Sequence, residues 1–250
     1  MQITFLGCGN SRGVPYINCH CYVCTSTNKK NKRKRPSLLI EENNNTILID
    51  TSPDLKQQCM ENNITKIDAV IYTHDHFDHV AGIDDLRSFC HGTKPINAYI
   101  DDNTFASMSR RYDYLFQGLS RQCHPMLKRN KLDAFQEING IQCVSFNQIH
   151  GSILSRGIRI KNFAYSTDFN EIPEESVEYL NDLEIWVVDC TRYSYAETHS
   201  YYEKTLMLIE RFKPKLAVLT HMSHEIEYEE ISKIIPKGVI AAYDNLIINI

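Results

Sequence analysis

Residues 73–79 (THDHFDH) constrain this chain more than any other part of the sequence. They contain three histidines and two aspartates, and they directly follow the apolar residues 69–72 (AVIY), which predict a strand. Neutral imidazole nitrogens and carboxylate oxygens bind zinc and also harder divalent ions such as manganese. Surface loops instead favour Gly, Asn, Ser and Pro because those residues suit turn geometry. The stretch therefore predicts a metal site at the end of a strand.

The spacing within this stretch allows a second ion beside the first. Alternate side chains of an extended chain point the same way, so His74 and His76 can bind one ion together. Where the chain then turns, Asp78 and His79 are offset and can face a second ion. Asp75 lies between two of these ligands, and we expect it to orient either a neighbouring imidazole or the local backbone, as outer carboxylates commonly do.

Cys19, Cys21 and Cys24 form a second candidate site. Their spacing brings three thiolates close enough for one tetrahedral ion, and a fourth ligand must come from elsewhere. His20 is a poor fourth ligand because it lies between two ligating cysteines. A site closed by four protein ligands is structural rather than catalytic. Nine cysteines, three of them crowded, favour metal-bound thiolates in a reducing compartment, so we expect a cytoplasmic protein.

Composition excludes several classes of protein. The chain has 250 residues, 42% hydrophobic and 23% charged, without a Pro/Gly/Ser-rich linker, so we predict one domain over residues 1–250. No apolar run approaches the roughly 20 residues that span a bilayer, and we expect neither a signal peptide nor a membrane partner. The net charge of −4 argues against general nucleic-acid affinity.

One basic run stands out against this charge. Six of the seven residues from Lys29 to Arg35 are basic. Such a run is either a patch for nucleic acid or an anionic substrate, or a solvated loop. We interpret this basic run as a solvated loop.

Hydrophobic patterning predicts an α/β chain. Strands are predicted at residues 3–6, 38–42, 46–50, 94–100, 141–146, 159–165, 184–189 and 216–219. Helices are predicted at residues 53–62, 104–116 and 200–212. No element is predicted for residues 118–139. Histidines and aspartates follow several of these strands, as His150, Asp168 and His221 do. Strand ends converge on one edge of a sheet, so we expect these residues to join the first cluster.

These features together resemble the metallo-β-lactamase superfamily. His-x-His-x-Asp-His at residues 74–79 is the superfamily signature, and the resemblance covers nearly the whole chain. The cysteine cluster and Thr-His-x-x-His at residues 220–224 are similar, more specifically, to the branch of PhnP-type phosphodiesterases. Further matching pieces are residues 7–15, 82–87, 165–168, 189–192, 198–199 and 242–244.

The resemblance implies an αββα sandwich of two mixed sheets flanked by helices, with metals at one edge. It implies that the first metal is bound by His74, His76 and His150. It implies that the second is bound by Asp78, His79 and His221, while Asp168 bridges both. It implies a separate structural zinc bound by Cys19, Cys21, Cys24 and His224. It also implies that His199 donates a proton to the leaving alkoxide.

The activity implied by the resemblance is that of a dinuclear metal-dependent phosphodiesterase. Its substrate would be a small or cyclic phosphate diester, attacked by a hydroxide that two metal ions activate. Zinc, manganese and iron all suit His and Asp ligands. The alternatives are a ribonuclease Z-like tRNA 3′-processing endonuclease, and a non-catalytic accessory protein of cofactor biosynthesis. The expected partner is a small phosphate ester, nucleic acid is less favoured, and a homodimer is compatible with the resemblance.

Overall fold

The computed structural model describes residues 1–90, 94–118 and 124–250, which form two seven-stranded sheets with helices on their outer faces. The strands are β1 (Gln2–Gly7), β2 (Ser37–Glu42), β3 (Asn45–Ile49), β4 (Ala69–Ile71), β5 (Ile96–Ile100), β6 (Leu127–Lys131), β7 (Phe135–Ile138), β8 (Ile141–His150), β9 (Ile153–Ile160), β10 (Phe163–Ser166), β11 (Ile185–Asp189), β12 (Leu216–Thr220), β13 (Val239–Ala241) and β14 (Ile247–Asn249). The α-helices are α1 (Tyr22–Thr25), α2 (Leu55–Glu61), α3 (Phe77–Val80), α4 (Asp102–Gln117), α5 (Tyr202–Phe212) and α6 (Tyr228–Ile234). Short 3₁₀ helices occupy Lys29–Asn31, Ile83–Phe89 and Glu174–Leu180.

Both sheets are mixed, which confirms the predicted fold class. The first has the order β14-β1-β2-β3-β4-β5-β6 and the second has the order β13-β12-β11-β10-β9-β8-β7. In each sheet an antiparallel part continues into parallel strands, namely β3 to β6 and β10 to β13. Parallel neighbours need a crossover connection, and α2, α4, α5 and α6 lie in these connections.

Strand β3 shows why both faces of a sheet are covered. Successive side chains of a strand point to opposite faces. Ile47 and Ile49 belong to the core between the two sheets, whereas Leu48 belongs to an outer core with Leu55 of α2 and Met108 of α4. The apolar residues 47–49 of β3 are therefore buried on both faces of the sheet, as is typical of parallel sheets.

Most predicted elements are present, with ends shifted by no more than four residues; the largest shift is at the end of β8. The strand predicted at residues 159–165 is wrong. Strand β9 ends at Ile160, the chain turns at Lys161 and Asn162, and β10 runs back antiparallel from Phe163. Residues 118–139, for which we predicted no element, contain β6 and β7. No helix in the described ranges is long and apolar enough to cross a bilayer.

Candidate metal centre

Several residues leave their strands at this sheet edge through an unusual backbone conformation. Asp50, Asp168 and His221 come just after β3, β10 and β12 and have φ values of 61°, 51° and 59°. This left-handed region costs roughly 1–2 kcal/mol for a residue with a Cβ. Backbone strain of this kind clusters at functional sites, where the required direction of a side chain outweighs the cost in backbone conformational energy.

The histidine-rich motif follows β4 and changes conformation halfway. The chain is extended at His76 (φ −65°, ψ 151°), and helix α3 begins at the next residue. Asp78 and His79 therefore lie on a helical turn, whereas His74 and His76 lie before it. Gly82 follows this segment, and only glycine fits there, because a Cβ would come within 2.0 Å of the backbone oxygen of Ser52.

The first group of candidate ligands combines both sheets. One ligand atom from each of four residues lies within 4.8 Å of the others, and the residues are His74, His76, His150 and Asp168. Nε2 of His150 lies 3.3 Å from Nδ1 of His76 and 3.8 Å from Oδ1 of Asp168. Nε2 of His74 is buried without a hydrogen-bond partner among the described residues.

The second group is more compact. It consists of ligand atoms from Asp78, His79, Asp168 and His221. Nε2 of His79 lies 3.3 Å from Oδ2 of Asp78 and 3.1 Å from Oδ2 of Asp168. Nε2 of His221 lies 3.4 Å and 3.3 Å from the same two oxygens. Asp168 thus directs one oxygen to each group.

These distances fit a pair of divalent cations. In a tetrahedral site with bonds of about 2.0–2.1 Å, neighbouring ligand atoms are about 3.3 Å apart. The second group matches that spacing on four of its edges. Buried polar atoms need partners, and a cation would satisfy the unpartnered Nε2 atoms of His74 and His79.

Other polar groups contact the second ring nitrogen of several candidate ligand histidines. Nδ1 of His79 lies 2.6 Å from Oδ2 of Asp50, and Nδ1 of His150 donates to the carbonyl oxygen of Thr198 at 2.6 Å. Nδ1 of His74 lies 3.0 Å from Oγ1 of Thr73. Such contacts fix ring orientation and leave Nε2 free for a metal. Burial lowers the pKa of His74 and of His150, which favours the neutral form that binds metal.

His199 lies next to the two candidate ligand groups, and its side chain is partly exposed to solvent. Its Nδ1 lies 3.0 Å from Oδ2 of Asp189 and 3.7 Å from Oδ1 of Asp168. Burial lowers the pKa of His199, but the nearby carboxylates, with Asp189 the strongest, outweigh burial and raise the pKa to about 9. Cations at the two ligand groups would neutralise Asp168, so Asp189 is the cause that persists. Since Asp189 occupies Nδ1, the other ring nitrogen is left for a substrate.

A cavity of about 430 Å³ lies directly beside this histidine. His199 and His221 form one wall, and Tyr16 and His224 form part of another. The cavity therefore touches a ligand of the second group, the Asp189–His199 pair and the region of the cysteine cluster.

The cysteine cluster meets a fourth candidate ligand, His224, from near the end of the sequence. Nδ1 of His224 lies 3.3 Å, 3.5 Å and 3.6 Å from the Sγ atoms of Cys19, Cys21 and Cys24. In a tetrahedral zinc site with Zn–S of about 2.3 Å and Zn–N of about 2.0 Å, sulfur and nitrogen are about 3.5 Å apart. All four positions are taken by protein atoms, which is the arrangement of a structural site.

A Cys21→Ser variant is expected to lose one zinc ion per chain. Its melting temperature should fall by about 5–10 °C, the shift that a loss of about 2–3 kcal/mol gives at this size. Elemental analysis and thermal unfolding measure the two effects. Cys90→Ser is the matched control, because within the described ranges the Cys90 thiol donates only to the backbone oxygens of Leu86 and Met126 and belongs to none of the candidate metal groups. An unchanged zinc count in Cys21→Ser would remove the structural site.

A family model decides the identity of the fold family. The model described as a β-lactamase superfamily domain matches residues 45–222, more than half of the chain. This chain belongs to the metallo-β-lactamase superfamily.

The similar proteins place this metallo-β-lactamase domain in the PhnP-type branch. The crystal structure of a diphosphatase from the PhnP family has a TM-score of 0.93 and 32% sequence identity, covering 100% of this chain and 97% of that one. An octanoyltransferase of Porphyromonas gingivalis is 34% identical over 251 residues, which is 98% of this chain and 51% of the relative. The zinc-bound PqqB of Methylobacterium extorquens, at 19% identity, has a TM-score of 0.81 and covers 100% of both chains. That last likeness shows the fold alone. This chain spans about half the length of the curated relatives it matches.

The interpretation of the basic run as a solvated loop is wrong for this metallo-β-lactamase domain. Arg33 is only 1% exposed, and it donates to the backbone oxygens of Ser223 at 3.0 Å and of Ile226 at 2.8 Å. Arg35 forms a two-pronged ion pair with Asp54. The run is therefore part of the structure, and Arg33 ties it to the segment that carries His221 and His224.

Several residues that support the centre were missed from the sequence. Asp50 appeared only as the end of a predicted strand, and Asp189 had no role beyond its place in a matching segment. The side chain of Asp75 pairs with Arg111 at 3.7 Å, and Oγ1 of Thr73 is what contacts Nδ1 of the neighbouring His74, so an orienting role of Asp75 towards that ring is not seen. A polar residue at the end of an apolar strand was the available signal for both missed aspartates.

Proposed function

We propose that this chain is a metal-dependent hydrolase that cleaves a P–O bond in small phosphate diesters. The class includes disubstituted diphosphates, in which the leaving group is itself a phosphate. The observation that carries the proposal is the pair of four-atom ligand groups that share Asp168, directly beside the Asp189–His199 pair. The likeness to a PhnP-family diphosphatase at 32% identity supports the same chemistry.

Two divalent cations at these groups would lower the pKa of water and offset negative charge on phosphoryl oxygens. The chain itself contributes ligand position and proton transfer. Asp168 keeps both groups close with a single carboxylate. Hydrolysis joins the oxygen of water to phosphorus and breaks the bond to the leaving oxygen, which needs a proton. His199 is placed to donate that proton, and Asp189 fixes the ring and stabilises its protonated form.

The basic run of residues 29–35 no longer favours the nuclease alternative. Only the basic run offered contacts to a polynucleotide backbone, and Arg33 and Arg35 are used within the fold. The accessory-protein alternative rests on a likeness to PqqB that extends to the fold alone. A small diester remains the substrate class that the cavity beside His199 supports best.

The test combines a metal count with a substrate panel. Protein purified without added metal is expected to hold about three ions per chain, two at the ligand groups that share Asp168 and one at the cysteine cluster. It should hydrolyse bis-p-nitrophenyl phosphate and a 2′,3′-cyclic nucleotide, and it should leave precursor tRNA uncut. Efficient tRNA cleavage with little small-diester turnover would support the nuclease instead. Three ions without hydrolysis of any of these compounds would overturn the phosphodiesterase proposal.

A further inference from the structure

Two arginines line the cavity beside His199. The two are Arg12, in the turn after β1, and Arg192, in the loop after β11. Within the described ranges, neither guanidinium makes a hydrogen bond or an ion pair, and Nε of Arg192 is buried. Buried polar atoms are nearly always paired in folded proteins. An acceptor from outside the chain is therefore expected in this cavity.

Carboxylates of the chain do not fill that role. Glu197 and Glu225 also line the cavity, but both are exposed. Among the residues that the structure describes, no carboxylate oxygen lies within 4.0 Å of either guanidinium. Both arginines thus keep their hydrogen-bond donors available to a ligand.

The position of the cavity indicates which part of the substrate it would hold. Phosphorus must lie against the ligand groups that share Asp168, and the leaving oxygen must lie against His199, its proposed proton donor. His199 also lines the cavity. The part of the substrate that extends past His199 into the cavity is therefore the leaving group.

We propose that Arg12 and Arg192 form an anion-binding subsite that selects substrates whose leaving group is negatively charged, carrying a phosphate or a carboxylate. This inference rests on the proposed function and narrows its substrate class. A guanidinium matches the paired oxygens of either anion and binds them with strong, charge-assisted hydrogen bonds.

The proposed subsite packs against the cysteine cluster. The ring of Tyr16 stacks on the ring of His224, with centroids 3.9 Å apart and planes 19° apart. Cζ of Arg12 lies 5.2 Å from the centroid of the Tyr16 ring, and Nδ2 of Asn10 donates to the Tyr16 hydroxyl at 2.5 Å. The wall that presents Arg12 is therefore built on a ligand of the cysteine cluster, which gives that structural site a bearing on specificity.

The test compares three aryl diesters with the same scissile phosphate. Their leaving groups are 4-nitrophenol, a 4-nitrophenol carrying a carboxylate, and a 4-nitrophenol carrying a phosphate monoester. Arg192→Met keeps the length of the stem and removes the charge. It should lower kcat/KM about 10- to 100-fold for the two charged leaving groups, the loss expected for charge-assisted hydrogen bonds, and leave the neutral one little changed. The arm with the larger loss identifies carboxylate or phosphate as the preferred anion.

Companion variants separate binding from folding. Arg12→Met should show the same selectivity with a smaller loss, because Arg12 is more exposed. Arg192→Lys keeps the charge without the planar fork and should lie between the wild type and Arg192→Met, so it tests the subsite even if the methionine variant unfolds. Arg211→Met, an exposed change on α5 outside the cavity, should alter none of the three rates.

The outcomes distinguish the subsite from the activity itself. If the wild type hydrolyses all three esters and the Arg192 variants lose all three equally, or lose none, the subsite is overturned while the hydrolase proposal stands. If the wild type hydrolyses none of the three, the proposed function fails. Selective loss with the charged leaving groups supports both.

Discussion

An Asp168→Ala variant is expected to lose hydrolysis of bis-p-nitrophenyl phosphate and to bind at least one metal ion fewer than the wild type. Asp168 contributes Oδ2 to the group around His79 and His221, and Oδ1 to the group around His150. Its removal takes a ligand from each group and leaves two cations repelling each other without a shared anion. Elemental analysis and a chromogenic assay measure the two losses on the same preparation.

Two further variants make the result specific to the carboxylate. Asp168 has a φ of 51°, a conformation that asparagine tolerates, so Asp168→Asn removes the charge without new backbone strain. It is expected to lose activity like the alanine variant. Asp75→Asn changes an aspartate of the same motif that pairs with Arg111, and it should keep both metal and turnover. Near-normal turnover with a full complement of metal in Asp168→Ala would overturn the two-metal assignment.

The metal motif could be predicted because its ligands are adjacent in sequence. His74 and His76 lie in the extended chain after a strand, and Asp78 and His79 lie in the turn that follows. The sequence itself predicts both the strand and the turn. The partners His150, Asp168 and His221 came from their positions after strands and from the family resemblance. Their meeting at one edge depends on the order of strands in two sheets, which local patterns do not specify.

The failures have the same origin. Local sequence shows the charge of Arg33, but not the backbone oxygens of Ser223 and Ile226 that bury it some 190 residues away. The turn between β9 and β10 was missed because Lys161 adopts a φ of 53°, where glycine or asparagine would have been the signal.

A His199→Gln variant is expected to turn over alkyl phosphate diesters about 10²–10⁴ times more slowly than the wild type, the usual worth of a positioned proton donor. The loss should be much smaller with 4-nitrophenyl esters, because 4-nitrophenolate departs without a proton far more readily than an alkoxide does. Steady-state kinetics on a matched alkyl and aryl pair measures this dependence on the leaving group. A structural role for His199 would slow both substrates alike.

Metal content decides between the two roles that the geometry allows His199. Ligand atoms of Asp189, His199 and His221 lie within 4.8 Å of one another, a grouping that can itself hold an ion. A His199→Gln protein that keeps all its metal while losing turnover of alkyl esters fits the proton donor, whereas an equal fall in metal content makes His199 a ligand. Asp189→Asn sharpens the choice, because Asp189 contacts Nδ1 of His199 at 3.0 Å. If Asp189 holds a proton donor, its variant should share the leaving-group dependence of His199→Gln with a smaller loss, a pattern that the loss of a metal ligand would not produce.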